Sequence, residues 1–292
     1  MKIIITTCIA VLLIISASGQ NGKTVSLRWK LQPNESLSFK TVMLNIDTAR
    51  AREFSLNTDR LSRMFSDSTN NKIPEIQKFF SGINTSFSKA DFNTKLTENK
   101  HGIIDIEMDK KEEENPANKK DTGNIITGFP KMMKKMAGNV MLRGALNKDG
   151  SVQSFYVKND QKNLIAIFFE LPPNDIKIGD TWKLTVNLIS LDQNFTCDTS
   201  FRKNTCKLVD LKKVGTETIA IIKYDLGEYV SGDYYNPGTG VSKKSTMKMT
   251  YNGLAEFSVD KGRWASYNGI MTLHTTGVSS SVTTQKIALS AD

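Results

Sequence analysis

Two stretches decide the reading of this chain: LSFKTVMLNID, residues 37–47, and WKLTVNLISLD, residues 182–192. They align without a gap. Leu37, Phe39, Thr41, Met43, Leu44, Ile46 and Asp47 match Trp182, Leu184, Val186, Leu188, Ile189, Leu191 and Asp192. In both, large side chains fall at alternate positions before the phase shifts, and period-two spacing marks a half-buried strand. Two further pairs follow in the same order. Lys95-Leu96 through Ile104, Ile106 and Met108-Asp109 match Lys207-Leu208 through Ala220, Ile222 and Tyr224-Asp225. The turn Lys148-Asp149-Gly150 then matches Asp260-Lys261-Gly262. Three correspondences in one order point to a mainly β chain, with long antiparallel strands in a curved sheet or half-barrel built from two imperfect repeats.

The repeats sit behind an export signal. Met1-Lys2 is basic, Ile3 to Ala17 is an apolar run interrupted by Thr6-Thr7 and carrying Ser16 near its end, and Ala17-Ser18-Gly19 precedes Gln20. This is the layout of a secretory signal peptide, cleaved near Gly19-Gln20. The run is shorter than the roughly 20 apolar residues of a membrane span, and no later run is as long. The expected organisation is therefore a signal peptide over 1–19, a first β repeat with a helical insertion over 20–158, and a second over 159–292, read as one continuous domain. The mature protein is expected in the periplasm or outside the cell.

Removing Lys2 with the leader lowers the formal charge from +9 to +8. The lysines are spread along polar strand positions, and the short clusters Lys119-Lys120, Lys134-Lys135 and Lys243-Lys244 carry no interleaved aromatics. That pattern describes a solvated basic surface and argues against a nucleic-acid partner. Cys197 and Cys206 remain after the leader is gone, and an even pair in an exported chain predicts a disulfide across what reads as a loop.

A first strand is expected over 24–30, with Val25, Leu27 and Trp29 on one face. Short helices are expected between Thr48 and Ser88, where Pro74 and Gly82 mark the ends of one of them. Met132, Met133 and Met136 form an apolar stripe among lysines, suited to irregular apolar partners. Asp160 to Glu170, rich in apolar residues and closed by Pro172-Pro173, reads as a buried helix. Ser231 to Lys244 reads as a long loop exposing Tyr234 and Tyr235.

Chemistry-bearing motifs are missing. His101 and His274 have no catalytic-looking partner nearby, Asp149 and Asp260 sit in ordinary glycine turns, and no phosphate loop, nucleophile elbow or HExxH helix occurs. No cofactor or metal is implied, and an enzyme is the weaker class. The leading expectation is a non-catalytic envelope binding protein. Its ligand, a lipid or another amphiphile, would lie between sheet and helices against Met132, Met136, Phe168, Phe169 and Trp182. The alternative is a protein- or glycan-interaction module using Tyr234 and Tyr235. A hydrolase with a dispersed site, bringing His101 or His274 to a carboxylate in a cleft, comes third.

Glu170-Leu171-Pro172-Pro173 followed by Ile176-Lys177-Ile178-Gly179-Asp180-Thr181-Trp182 resembles an uncharacterised family of exported bacterial proteins, defined only as a domain of unknown function. The likeness extends to the hairpins at 144–152 and 253–264 and to the turn Lys212-Lys213-Val214-Gly215. It implies export and supplies no site residue. More distantly, the strand pattern is similar to the half-barrel carriers of the bacterial envelope, including lipoprotein carriers, which implies a lipid-holding architecture by analogy.

Overall fold

The computed structural model describes residues 22, 24–46, 73–74, 77, 89–110, 140–156, 159–278 and 280–291. A five-strand meander comes first: β1 (Ser36–Ile46), β2 (Lys89–Glu98), β3 (Ile104–Lys110), β4 (Val140–Leu146) and β5 (Val152–Phe155). The helix α1 (Asn159–Phe169) follows. The second run contains β6 (Thr181–Trp182), β7 (Phe195–Val214), β8 (Glu217–Asn236), β9 (Val241–Ser258), β10 (Arg263–Thr276) and β11 (Ser281–Ala291). All eleven strands belong to one open, curved antiparallel sheet in the order β5-β4-β3-β2-β1-β11-β10-β9-β8-β7-β6. Both edge strands are short, which limits unwanted edge-to-edge pairing.

The β1–β5 and β6–β10 meanders run in the same direction through that order, with β11 between β1 and β10. Matched positions of β2 and β3 fall on the corresponding strands β7 and β8, whereas the run matched to β1 is strand only at Trp182. Leu37, Phe39 and Met43 of β1 are buried, as are Trp182, Leu184 and Val186; Leu96 of β2 and Leu208 of β7 are both fully buried. Ile104, Ile106 and Met108 of β3 correspond to Ala220, Ile222 and Tyr224 of β8, again all in the core.

The segment at 24–30 alternates as expected, with Val25, Leu27, Trp29 and Leu31 buried, but it is not a strand of the sheet. Its backbone bonds to isolated points instead. Val25 exchanges two bonds with Ile176, Trp29 N–H donates to the Lys148 carbonyl, and Lys30 N–H donates to the Gly262 carbonyl. The two matched turns are therefore tied together by consecutive residues of one extended segment. Arg28 donates to the carbonyls of Pro172 and Pro173, just past α1.

Ile165 through Phe169 of α1 are fully buried, so the second half of the helix is apolar all round and lies within the core. Gly144 of β4 permits this approach, because a Cβ there would collide with Ile165 Cδ1. A buried helix end must satisfy its last four carbonyls. Here Ala166 accepts from Glu170 N–H, Ile167 from Tyr267 O–H, Phe168 from Trp264 Nε1–H and Phe169 from Trp29 Nε1–H. The same aromatic rings pack edge to face around the helix end, with neighbouring centroids between 5.0 and 6.0 Å.

Tyr251 extends this network. Its ring lies over Gly253 and Gly269, neighbours across β9 and β10, where any Cβ at Gly269 would strike it. Tyr251 O–H donates to Tyr267 Oη at 2.7 Å, and Tyr267 donates onward to the Ile167 carbonyl at 2.7 Å. Burial pushes the hydroxyls of Tyr224 and Tyr267 well above the usual phenol range. Tyr224 Oη, however, has no hydrogen-bond partner among the described residues. Tyr267→Phe is therefore expected to cost about 1–3 kcal/mol, whereas Tyr224→Phe, which removes an orphaned group, should be neutral or slightly stabilising. Urea unfolding of both variants checks the contrast.

Several sequence expectations are corrected. Cys197 and Cys206 are free: Cys197 is exposed and Cys206 buried, both on the single strand β7. Nine residues of strand span about 30 Å, far beyond disulfide reach. The loop expected between them is strand because its polar side chains face solvent while the backbone pairs along β8. Tyr234 and Tyr235 likewise lie on β8, paired with Lys243 and Ser242 of β9, and only a tight turn follows at Asn236. Tyr234 packs beside Ile189, Phe195 and Val230. Of the helices expected between 48 and 88, Ile73, Pro74 and Gln77 are helical, and Gln77 Nε2 donates to Glu256, on the face of β9 opposite Phe257. Met132, Met133 and Met136 lie outside the described residues. None of the described helices is long and apolar enough to cross a membrane.

Candidate ligand cleft

Three of the residues expected to line a groove between sheet and helices are packed instead, and Met132 and Met136 lie outside the described residues. Phe168 and Phe169 are 0 % exposed and Trp182 is 8 % exposed, so all three are core residues rather than lining. The space lies instead where the sheet fails to close. A cleft of about 1080 Å³ is lined by Phe155 of β5, Lys162 and Asn163 of α1, the segment 183–191 and residues 202–205 of β7. Both ends of the curved sheet thus contribute walls to one opening.

Segment 183–191 makes this cleft possible. It keeps the alternation of a strand, with Leu184, Val186 and Ile189 buried and Lys183, Thr185 and Asn187 exposed, yet the ladder with β7 stops after Trp182. Side chains replace the missing ladder. Asn204 bonds both N–H and C=O of Leu184, at 3.0 and 2.7 Å. Asn163 does the same for Asn187. Glu170 accepts from Thr185 N–H and Oγ1–H, and buried Glu228 accepts from Ile189 N–H. Buried or half-buried backbone groups need such partners. Asn204, the clamp that stands on β7, holds Leu184 a side-chain length off that strand, and the edge stays open.

Burial raises the Glu170 carboxyl above its ordinary value, against the lowering effect of the two Thr185 bonds. A folded value above the unfolded one means that the native state holds the proton more tightly, so stability falls as pH rises from the ordinary carboxylate range through the folded value. Glu170→Gln retains both Thr185 contacts, its oxygen accepting from the backbone and its amino group donating to Oγ1. The variant is expected to lose this part of the decline, which paired denaturation curves across mildly acid pH would measure.

The charge of the cleft is one-sided. Lys162, Lys183, Arg202 and Lys203 line it, and among its described lining residues none is acidic. Arg202 is already paired with Glu228 at 2.7 Å and Lys203 with Asp225 at 2.5 Å. Lys162 Nζ lies 5.8 Å from the Phe155 ring centroid, a cation over an aromatic face. Phe155 and Leu191, 39 % and 45 % exposed, supply accessible apolar surface. A shallower neighbouring cleft of about 630 Å³ shares Phe155 but mixes Asp105 and Glu107 with Lys95 and Arg143.

His101 sits in the β2–β3 turn and His274 is exposed on β10; neither lines either cleft. Asp149 accepts from Ser151 N–H and Oγ–H, and Asp260 from Thr218 N–H, so both serve their turns. Among the described residues no group of His, Cys, Asp and Glu could hold a metal ion. The pattern that locates the cleft was present in the sequence as the strand-like run after Trp182, but the clamps on it come from four distant positions. A scan of family models, a search of curated proteins and a search of solved structures find no match for this chain.

Proposed function

We propose that the protein is a non-catalytic binding protein, exported to the cell envelope or exterior, that holds an amphipathic ligand in the cleft at the open seam of its sheet. The observation that carries this reading is the coincidence of an opening of about 1080 Å³ with accessible Phe155 and Leu191 and a rim of basic side chains. The volume lies just above the range of small-molecule sites, roughly 300–1,000 Å³. The apolar leader at 3–17 supports export. Native mass spectrometry of the protein taken from its own envelope, followed by solvent extraction, tests the reading. A stoichiometric amphiphile supports it; bare protein that stays empty after incubation with envelope lipids refutes it.

A second reading rests on the tip of the β8–β9 hairpin, where Tyr235 and Val241 are 46 % and 60 % exposed. An interaction module would bind a protein or glycan there, and replacing the exposed Tyr235 by serine would abolish partner capture without affecting ligand in the cleft, whereas Tyr234 packs beside Ile189 of the cleft wall.

A further inference from the structure

The basic residues of the cleft are not equivalent. Arg202 and Lys203 are neutralised by Glu228 and Asp225, which reach them from β8. Lys162 and Lys183 have no acidic ion-pair partner among the described residues, and they stand on different elements, α1 and the clamped segment. Glu170, the carboxylate whose charge acts on Lys162, spends both oxygens on Thr185. Both residues line the opening, and neither ammonium group has a hydrogen-bond or ion-pair partner among the described residues. One of them lies against Phe155, so a charged head bound there has an apolar face directly beside it. Leu191 offers a second apolar surface in the same cleft.

Resting on the reading of the cleft as a ligand site, we propose that its ligand is an anionic amphiphile, with a carboxylate or phosphate head held by Lys162 and Lys183 and its chain laid against Phe155 and Leu191. Ammonium groups offer several donors each and suit either oxyanion without the planar fork geometry that arginine demands.

Calorimetric titration of the protein with three single-chain probes of equal length, below their micellar concentrations, tests this. The probes are palmitate, monopalmitoyl phosphatidate and neutral monopalmitoyl glycerol, with inorganic phosphate as the chain-free control. The anionic probes are expected to bind at least about tenfold more tightly than the neutral one, as expected if one charge-assisted bond is gained. Lys162→Gln with Lys183→Gln should erase that advantage. A preference between palmitate and the phosphatidate identifies which head is native, and either supports the proposal. Equal binding of all three probes, insensitive to both substitutions, overturns the anionic head while leaving an amphiphile site standing. Phosphate binding as tightly as the phosphatidate overturns the role of the chain. Binding of no probe overturns both this inference and the function proposed above.

Discussion

Trp29→Ala is expected to lower the unfolding free energy by about 3–5 kcal/mol, the range for truncating a fully buried large aromatic. Trp29 is 1 % exposed, although it belongs to no strand of the sheet. Its ring meets Phe169, Phe257 and Trp264 at 5.9, 5.6 and 5.9 Å, its Nε1–H satisfies the last carbonyl of α1, and its backbone N–H holds the Lys148 turn. Truncation opens a cavity and orphans the Phe169 carbonyl together. Against a typical total of about 5–15 kcal/mol, the loss leaves a marginal protein. Trp29→Phe separates the contributions: it keeps most of the packing and loses the hydrogen bond, for about 1–3 kcal/mol. Guanidinium unfolding of both variants measures this. A loss below about 1 kcal/mol for the alanine variant would mean that the segment 25–31 is not docked as described.

Gly150→Ala should be nearly as damaging, at about 3 kcal/mol or more, because two costs coincide. Gly150 has φ +84°, left-handed backbone that alanine adopts only with strain. It is also packed against the chain leaving α1, where an added Cβ would lie 2.5 Å from Leu171 Cβ and 2.7 Å from Leu171 N. Leu171 is itself 3 % exposed and cannot swing away. Gly215, in the β7–β8 turn, provides the control. Its φ is +59° but nothing lies within 4 Å of its Cβ position, so Gly215→Ala carries only the backbone cost, about 1–2 kcal/mol. If the two variants melt alike, the contact at Leu171 contributes nothing beyond the turn conformation.

The sheet-forming pattern was legible because side-chain alternation is local. Any extended segment half-buried in a core must alternate, whatever its backbone pairs with. This is why Leu37 to Met43 and Ile104 to Met108 could be placed on inward-facing strands, while α1, apolar in its second half, could be placed within one residue of its observed bounds. Residues 24–30 and 183–189 show the same alternation and read as strands for the same reason. Both lack a ladder: one is tied to turns and a helix end, the other to the side chains of Asn163, Glu170, Asn204 and Glu228.

The reverse error befell residues 197–205 and 231–244. Their composition is mostly polar, and they read as loops, a disulfide staple and an aromatic loop. Apart from the turn at 237–240, they are outer parts of the long β7, β8 and β9 strands, formed because each backbone pairs with its neighbour. What the sequence alone determined is which face of each extended segment is buried, since that depends on side-chain hydrophobicity at fixed spacing. Ladder partners, the separation of Cys197 from Cys206 and the position of the cleft were decided only by the tertiary structure, because backbone hydrogen bonds are the same for every residue and find their partners through the packing of distant parts of the chain.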